Sequence, residues 1–181
     1  MSICLAQAPI GRCLSSQVSK ARCLRMVKLE NPLESPCFGC GPRHHRGLRL
    51  SFERRGNEVW CVYSPRKDEV GWPGYLHPGL HYLILRETSY WGALTLGGTL
   101  HHCGATSVLR EVDSPPVGVP FRARSRILKR TRRGLHMVSV SESLKEQAYG
   151  RFEAFYLPVR RSHVMKADIK LPTYLIEDIK L

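Results

Sequence analysis

The stretch HPGLHYLILRETSYWGALTLGG, residues 77–98, decides the fold that we predict for this chain. Its apolar side chains recur at helical spacing, and further apolar side chains fall on the other faces. A helix that is apolar nearly all round is a buried helix. Glycine readily takes the left-handed conformation that closes a helix. We therefore predict one long buried helix that begins after Gly79 and ends near Gly97-Gly98.

The segments on both sides of this helix have the alternation of β-strands. Before it, residues 48–53 and 59–63 alternate around a Gly56-Asn57 turn, which predicts a hairpin. After it, we predict further strands within residues 99–112, 121–127, 135–142 and 147–158. One buried helix among antiparallel strands predicts an α+β fold in which the sheet curls around the helix. Such a sheet keeps two edges and an outer face, so we expect a homodimer or tetramer.

Composition limits the function classes. The chain has 181 residues, with 28 Lys and Arg against 15 Asp and Glu, and a net charge of +13. That charge favours polyanions, such as nucleic acid, an anionic membrane surface or coenzyme A. The basic segments lack the interleaved aromatic residues and reading motifs of nucleic-acid binders, so a nucleic-acid-associated protein is the weaker hypothesis. The sequence contains no run of about 18 apolar residues, so we predict no membrane-spanning helix.

The domain organisation follows from the same composition. We predict a basic, disordered N-terminal tail over residues 1–30, one domain over 31–165 and a C-terminal tail over 166–181. A targeting segment and a true start at Met26 are alternatives for the first stretch. The odd number of cysteines, 7, and the broken apolar start favour a reducing compartment, so we expect a cytoplasmic protein.

Cys37 and Cys40 have the Cys-x-x-Cys spacing of half a zinc site, with His44 close behind. The sequence contains no second such pair, and the separation of Cys40 and His44 is tight for a Cys2His2 site. A redox dithiol would be expected within a βαβ pattern, which is missing here. We therefore predict no metal and no cofactor, and interpret the two cysteines as buried loop residues.

Two motifs carry a resemblance to a known family. CFGCGPRHHRGLRLSF at residues 37–52 resembles the lead-in to the first strand of hotdog-fold thioesterases of the phenylacetate-degradation type. HPGLHYLILRE at residues 77–87 resembles the His-Gly-Gly loop and the following helix of that family. The strands after residue 106 follow the same rhythm. The resemblance covers about residues 31 to 160 and implies a hotdog fold.

The resemblance also implies an activity, the hydrolysis of an acyl-coenzyme A thioester at a dimer interface. In such a site the N-terminus of the helix polarises the thioester carbonyl through a backbone N–H, and a helix carboxylate activates water or attacks. His77 matches the loop histidine. Pro78 stands where the family has a glycine and has no N–H. Gly79 still offers one, so it is our candidate donor.

The carboxylate position of the family, nine residues after His77, is Arg86 in this chain. Glu87 matches the adjacent acidic position, but one residue along a helix is a rotation of about 100°. The resemblance thus implies His77, Gly79 and Glu87 as catalytic candidates. Two explanations stay open: the protein has lost hydrolysis, or the chemistry has moved to other groups, for which Glu87, His77, His81 and Ser89 are candidates. Arg86 is either a fixed cation for a carboxylate or phosphate, or a partner of Glu87.

Other candidates concern substrate binding. His44 replaces an asparagine of the family lead-in. Arg122 and Arg124 lie on one face of a predicted strand, where they form either a stripe for coenzyme A phosphates or a solvated surface. We thus predict a substrate-binding set of Arg86, His81, His44, Arg122 and Arg124. The leading hypothesis is a protein that hydrolyses or binds an acyl-coenzyme A thioester, and the alternative is a non-catalytic binder of acyl-coenzyme A or another acyl ligand.

Overall fold

The computed structural model describes residues 26–31 and 33–159. The predicted C-terminal tail and residues 1–25 lie outside the described residues. Within them, the elements follow in the order β1 (Met26–Leu29), β2 (Phe52–Arg55), β3 (Glu58–Tyr63), α1 (Pro78–Gly97), β4 (His101–Glu111), β5 (Phe121–Arg130), β6 (Leu135–Ser143) and β7 (Ala148–Pro158).

The strands form one antiparallel sheet with the order β1-β2-β3-β5-β6-β7-β4. The helix α1 lies across one face of this sheet and packs on β3, β5, β6 and β7. The predicted α+β class, one buried helix on an antiparallel sheet, is therefore confirmed. The two edges of the sheet are the short β1 and the long β4, both of which have mostly exposed side chains.

The ends of α1 are fixed by local chemistry. Pro78 occupies the first turn, where its missing N–H costs nothing, and His77 caps the helix. At the other end Gly98 has a φ of 76°, the left-handed conformation that glycine adopts without strain. The predicted end of the helix at Gly97-Gly98 is confirmed.

The core lies between α1 and the sheet. Trp91 stacks on Phe52 of β2 with ring centroids 5.1 Å apart. Leu85, on another side of the helix, belongs to a second buried cluster formed with β6 and β7. Between them Gly92 lets the helix approach β5, because a Cβ there would lie 2.7 Å from the Oγ of Ser125. The helix is thus buried on several faces, as its sequence predicts.

The strand predicted to begin at Leu48 begins instead at Phe52. Arg49 has a φ of 53°, which interrupts the extended backbone. The N–H groups of Leu48 and Leu50 donate to carbonyl oxygens of the loop 37–41, each at 2.9 Å. The apolar side chains are buried as the alternation predicts, but their backbone serves to hold this loop.

The strand β1 pairs antiparallel with β2. It falls inside the stretch 1–30 that we assigned to a tail, so the last residues of that stretch are an edge of the sheet.

The part of the chain that the structure describes holds no helix with the length and apolarity needed to cross a lipid bilayer.

Candidate functional site

A cleft opens between the first turns of α1 and the end of β4. Apolar side chains of both elements line it, together with the polar groups of His81, Arg110 and Glu111. It lies at the end of the helix where the sequence motif of residues 77–87 begins. This cleft is therefore the part of the fold in which to test the predicted catalytic residues.

The backbone N–H groups at the start of α1 are all engaged by His77. The N–H of Gly79 donates to His77 Nδ1 at 3.0 Å. The N–H groups of Leu80 and His81 donate to the His77 carbonyl at 2.9 and 3.0 Å. Since Pro78 has no N–H, this helix start presents no spare donor to a thioester carbonyl. The structure thus places His77 at the N-cap of the helix, where its side chain and its carbonyl hold these N–H groups.

His81 is held by two side chains. Its Nδ1 lies 2.9 Å from Glu111 Oε1, and its Nε2 lies 2.7 Å from Ser141 Oγ. The carboxylate can only accept, so Nδ1 carries the proton and Nε2 accepts from the serine hydroxyl. Burial of the ring lowers the pKa of His81, which favours this neutral form. Ser141, His81 and Glu111 thus follow the order serine, histidine and carboxylate of a catalytic triad. The side chain of Ser141 is buried.

Glu87 lies elsewhere. It stands ten positions after His77, which is about 15 Å along the helix axis. Its Oε2 is 3.9 Å from Cys37 Sγ, and that sulfur is 2.8 Å from Cys40 Sγ. The structure thus brings His77, Gly79 and His81 together and leaves Glu87 outside that group.

The carboxyl of Glu87 is buried against the cysteine loop. A Cβ on Gly39 would lie 2.8 Å from Glu87 Cγ, so the loop backbone packs directly on this side chain. Burial, reinforced by the charge of the Cys37 sulfur, raises the pKa of Glu87 to about 7. The donor atoms of Cys37, Cys40 and Glu87 all lie within 4.8 Å of one another, which makes them the described residues able to hold a metal ion.

Neither Arg86 nor His44 is among the residues that line the cleft. The guanidinium of Arg86 is 3.6 Å from Glu87 Oε1, which matches the alternative in which the two side chains pair. His44 packs edge-on against Phe38, with ring centroids 5.4 Å apart, and accepts from the N–H of Arg46. Ser89 is fully buried inside the helix packing.

Comparison with known proteins gives the fold a name. No protein-family model and no curated protein matches the sequence. A thioesterase superfamily protein has a TM-score of 0.63 at 16% identity and covers 67% of this chain, which spans 60% of that protein. PaaI of E. coli, from the phenylacetic acid degradation operon, has a TM-score of 0.57 at 7% identity over 62% of this chain and 81% of PaaI. The chain has the hotdog fold.

A third solved structure is a hypothetical thioesterase of Streptococcus pneumoniae with coenzyme A. It has a TM-score of 0.55 at 11% identity and covers 61% of this chain and 88% of its own. At such identities the likeness establishes the architecture alone. The hotdog fold implied by the two sequence motifs is confirmed.

Arg122 and Arg124 lie on the face of the hotdog sheet opposite to α1. Phe121 faces His81, with ring centroids 5.9 Å apart, so the alternation of β5 turns the next residue the other way. Arg122 Nε is 2.7 Å and Arg124 Nε is 3.3 Å from Glu142 Oε1. The sheet therefore separates both arginines from the cleft, and ion pairs engage their charges.

Three polar groups of this site were not predicted from the sequence: Arg110, Glu111 and Ser141. Glu111 and Ser141 stand 30 and 60 residues from His81, so no local spacing links them. One signal was available for Ser141. It alternates in phase with Leu135 and Met137, which places a hydroxyl on the buried face of β6.

Proposed function

We propose that this hotdog protein binds an acyl-coenzyme A thioester without hydrolysing it by the route that the sequence resemblance implies. One observation carries the proposal: the N–H of Gly79 donates to His77 Nδ1, beside a proline that has none. Arg86 also stands at the position of the family carboxylate. Solved structures of the same fold with acetyl-CoA, from Streptococcus mutans, and with coenzyme A support the ligand class.

The cleft beside His81 is the proposed seat of the ligand. Its apolar walls suit an acyl chain, and Arg110 offers a cation to the anionic part of the ligand. The net charge of +13 adds a general attraction to coenzyme A phosphates. Binding here needs no oxyanion donor, which agrees with the engaged N–H groups of the helix start.

A second copy of the chain is proposed to complete the cleft. β4 is an edge strand of 11 residues with mostly exposed side chains, and its last residues form one wall of the cleft. A second β4 paired along this edge would satisfy its backbone and cover the open side. We propose a homodimer of this kind in the cytoplasm, which agrees with the described cysteines, all of them free thiols.

The test measures binding and turnover on the same samples. Acetyl-, butyryl- and long-chain acyl-CoA are titrated calorimetrically, and released coenzyme A is quantified by chromatography so that protein thiols do not interfere. We expect binding with no release above the protein-free blank. Arg110→Ala should weaken binding about tenfold, whereas Arg126→Ala, an exposed arginine on the outer face of β5, should not. Absence of binding, or equal losses in both variants, would contradict the proposal.

Release of coenzyme A by the natural protein would replace the proposal with a second candidate, hydrolysis at His81. The hydrogen bonds of His81 to Glu111 and Ser141 favour that candidate because they fix the imidazole as a base. His81→Gln would then abolish release. His136→Gln, at a histidine paired with a glutamate on the outer face of β6, is the matched control.

A further inference from the structure

We propose that Cys37, Cys40 and Glu87 form a thiol–disulfide exchange site that takes a low-molecular-weight disulfide as its co-substrate. The site is distinct from the acyl-CoA cleft, since none of its three residues lines that cleft. It rests on a sulfur pair and a buried carboxyl that converge from two distant parts of the chain.

The loop backbone brings the two sulfurs together. The N–H of Gly41 donates to the Cys37 carbonyl at 2.8 Å and closes a tight turn. The N–H of Cys40 donates to Cys37 Sγ at 3.2 Å, and the two sulfurs are 2.8 Å apart. Cys37 is half-buried, whereas Cys40 is only 8% exposed. This asymmetry assigns the attacking role to Cys37 and the resolving role to Cys40.

The electrostatics of the pair agree with these roles. The N–H and the thiol of Cys40 both donate to Cys37 Sγ, at 3.2 and 2.8 Å, and such donors stabilise a thiolate at Cys37. Glu87 and Tyr90 are the titratable groups of α1 that lie close enough to the pair to interact with its charge.

Glu87 supplies what the buried thiol lacks, a proton acceptor. In the reduced pair the Cys40 proton is shared with the Cys37 thiolate. Once Cys37 is bound to another sulfur, that acceptor is gone. The Glu87 carboxylate, within 4.8 Å of both sulfurs, is then the base at hand.

The exchange balances in two steps. The Cys37 thiolate attacks one sulfur of the disulfide RS–SR, forming a Cys37–SR bond and releasing RS⁻. Glu87 then takes the Cys40 proton, and the Cys40 sulfur attacks Cys37, forming the Cys37–Cys40 disulfide and releasing the second RS⁻. The protein pair is oxidised and the external disulfide is reduced to two thiols.

A metal site would use the same three residues, and the geometry favours the dithiol. Two thiolates on a tetrahedral zinc ion lie about 3.8 Å apart, because each Zn–S bond is about 2.3 Å. The sulfurs of Cys37 and Cys40 are 2.8 Å apart, closer to the disulfide length of about 2.05 Å. The described residues also supply three donor groups, one fewer than a closed structural zinc site needs.

The experiment exposes the full-length reduced protein to oxidised glutathione and maps the products by peptide mass spectrometry. We expect a Cys37–Cys40 disulfide in the natural protein. Cys40→Ser should accumulate glutathione on Cys37, and Cys37→Ser should leave Cys40 unmodified. Cys103→Ser, at a half-buried cysteine of β4, is the control and should behave like the natural protein. Modification spread over other cysteines, or no Cys37–Cys40 disulfide, would overturn the proposal.

A kinetic readout separates the role of Glu87 from a structural one. With Glu87→Gln the alkylation of Cys37 by iodoacetamide should stay fast down to about pH 6, because the thiolate keeps its donors. Closure of the mixed disulfide should slow at least about tenfold. Equal closure rates would remove Glu87 from the mechanism. Zinc retained at one equivalent by the purified protein and lost in Cys37→Ser would overturn the exchange site in favour of a metal site.

Discussion

The buried carboxyl of Glu87 should make the folded protein less stable as pH rises. The folded-state pKa of about 7 lies above the ordinary value of 4.5, so the folded state binds the Glu87 proton more tightly than the unfolded state. The stability that this tighter binding supplies is fully present below pH 4.5. It is lost as pH rises through the folded pKa. Glu87→Gln imitates the protonated side chain at every pH and should remove this dependence.

The size of the effect follows from the two pKa values. Raising the pKa of Glu87 from 4.5 to about 7 corresponds to about 3 kcal/mol, since a tenfold change in an acid constant is about 1.4 kcal/mol. The ion pair with the 41% exposed Arg86 offsets little of this, because solvent screens it. Glu87→Gln should therefore raise the free energy of unfolding by about 3 kcal/mol near pH 8. For a chain of this size that is about 6 to 12 °C in Tm.

The assay is urea denaturation of the reduced natural protein and variant from about pH 4.5 to about pH 8. The difference between the two proteins isolates Glu87, because their other titrating groups are shared. Glu146→Gln is the matched control, since the Glu146 side chain is 79% exposed, and it should give no pH-dependent gain. A Glu87→Gln difference that is constant across this range, or that favours the natural protein near pH 8, would refute the reasoning.

Three further variants test packing and hydrogen bonding. Gly92→Ala should destabilise the protein by about 1 to 3 kcal/mol, because its Cβ would lie 2.7 Å from Ser125 Oγ and force the helix from the sheet. Ser141→Ala should cost about 1 to 3 kcal/mol, because it leaves Nε2 of the buried His81 without its donor. Gly98→Ala should cost about 1 kcal/mol, because the φ of 76° strains a side chain. Each loss is read from the midpoint of urea denaturation.

The controls for these variants come from the same fold. Ser51→Ala removes an exposed hydroxyl and should change stability by less than about 0.5 kcal/mol. A Ser141→Ala loss no larger than this would show that the hydroxyl adds nothing to the burial of His81. An unchanged midpoint for Gly92→Ala would mean that the helix has room to move away from β5.

The fold was predictable because its main signals are local. The apolar residues of α1, the closing glycine and the two-residue alternation of the long strands each act within a few positions. The start of β2 was predicted wrongly for a reason that alternation cannot register. Leu48 and Leu50 are buried as in a strand, but the left-handed Arg49 between them diverts the backbone to the cysteine loop.

The candidate sites were less predictable because they join distant residues. Cys37 and Glu87 are 50 positions apart, so the sequence displayed a Cys-x-x-Cys pair without its carboxyl. His81 was a candidate by its place in the motif, but its partners come from β4 and β6. A local motif names one member of such a group, and the sheet order that brings the others to it is known only from the folded chain.

Arg86 and Glu87 are neighbours on α1. Arg86 stands where the sequence resemblance implies a carboxylate, and Glu87 belongs to the proposed thiol site. The rotation of about 100° between neighbouring helical positions turns Glu87 onto the cysteine loop while Arg86 stays 41% exposed. Glu87 therefore faces the sulfur of Cys37 and does not line the cleft between α1 and β4. A carboxylate at position 86 would place a second negative charge beside the buried carboxylate of Glu87. This charge would raise the pKa of Glu87 further. The arginine at this position instead places a cation 3.6 Å from Glu87 Oε1, in an ion pair that solvent screens.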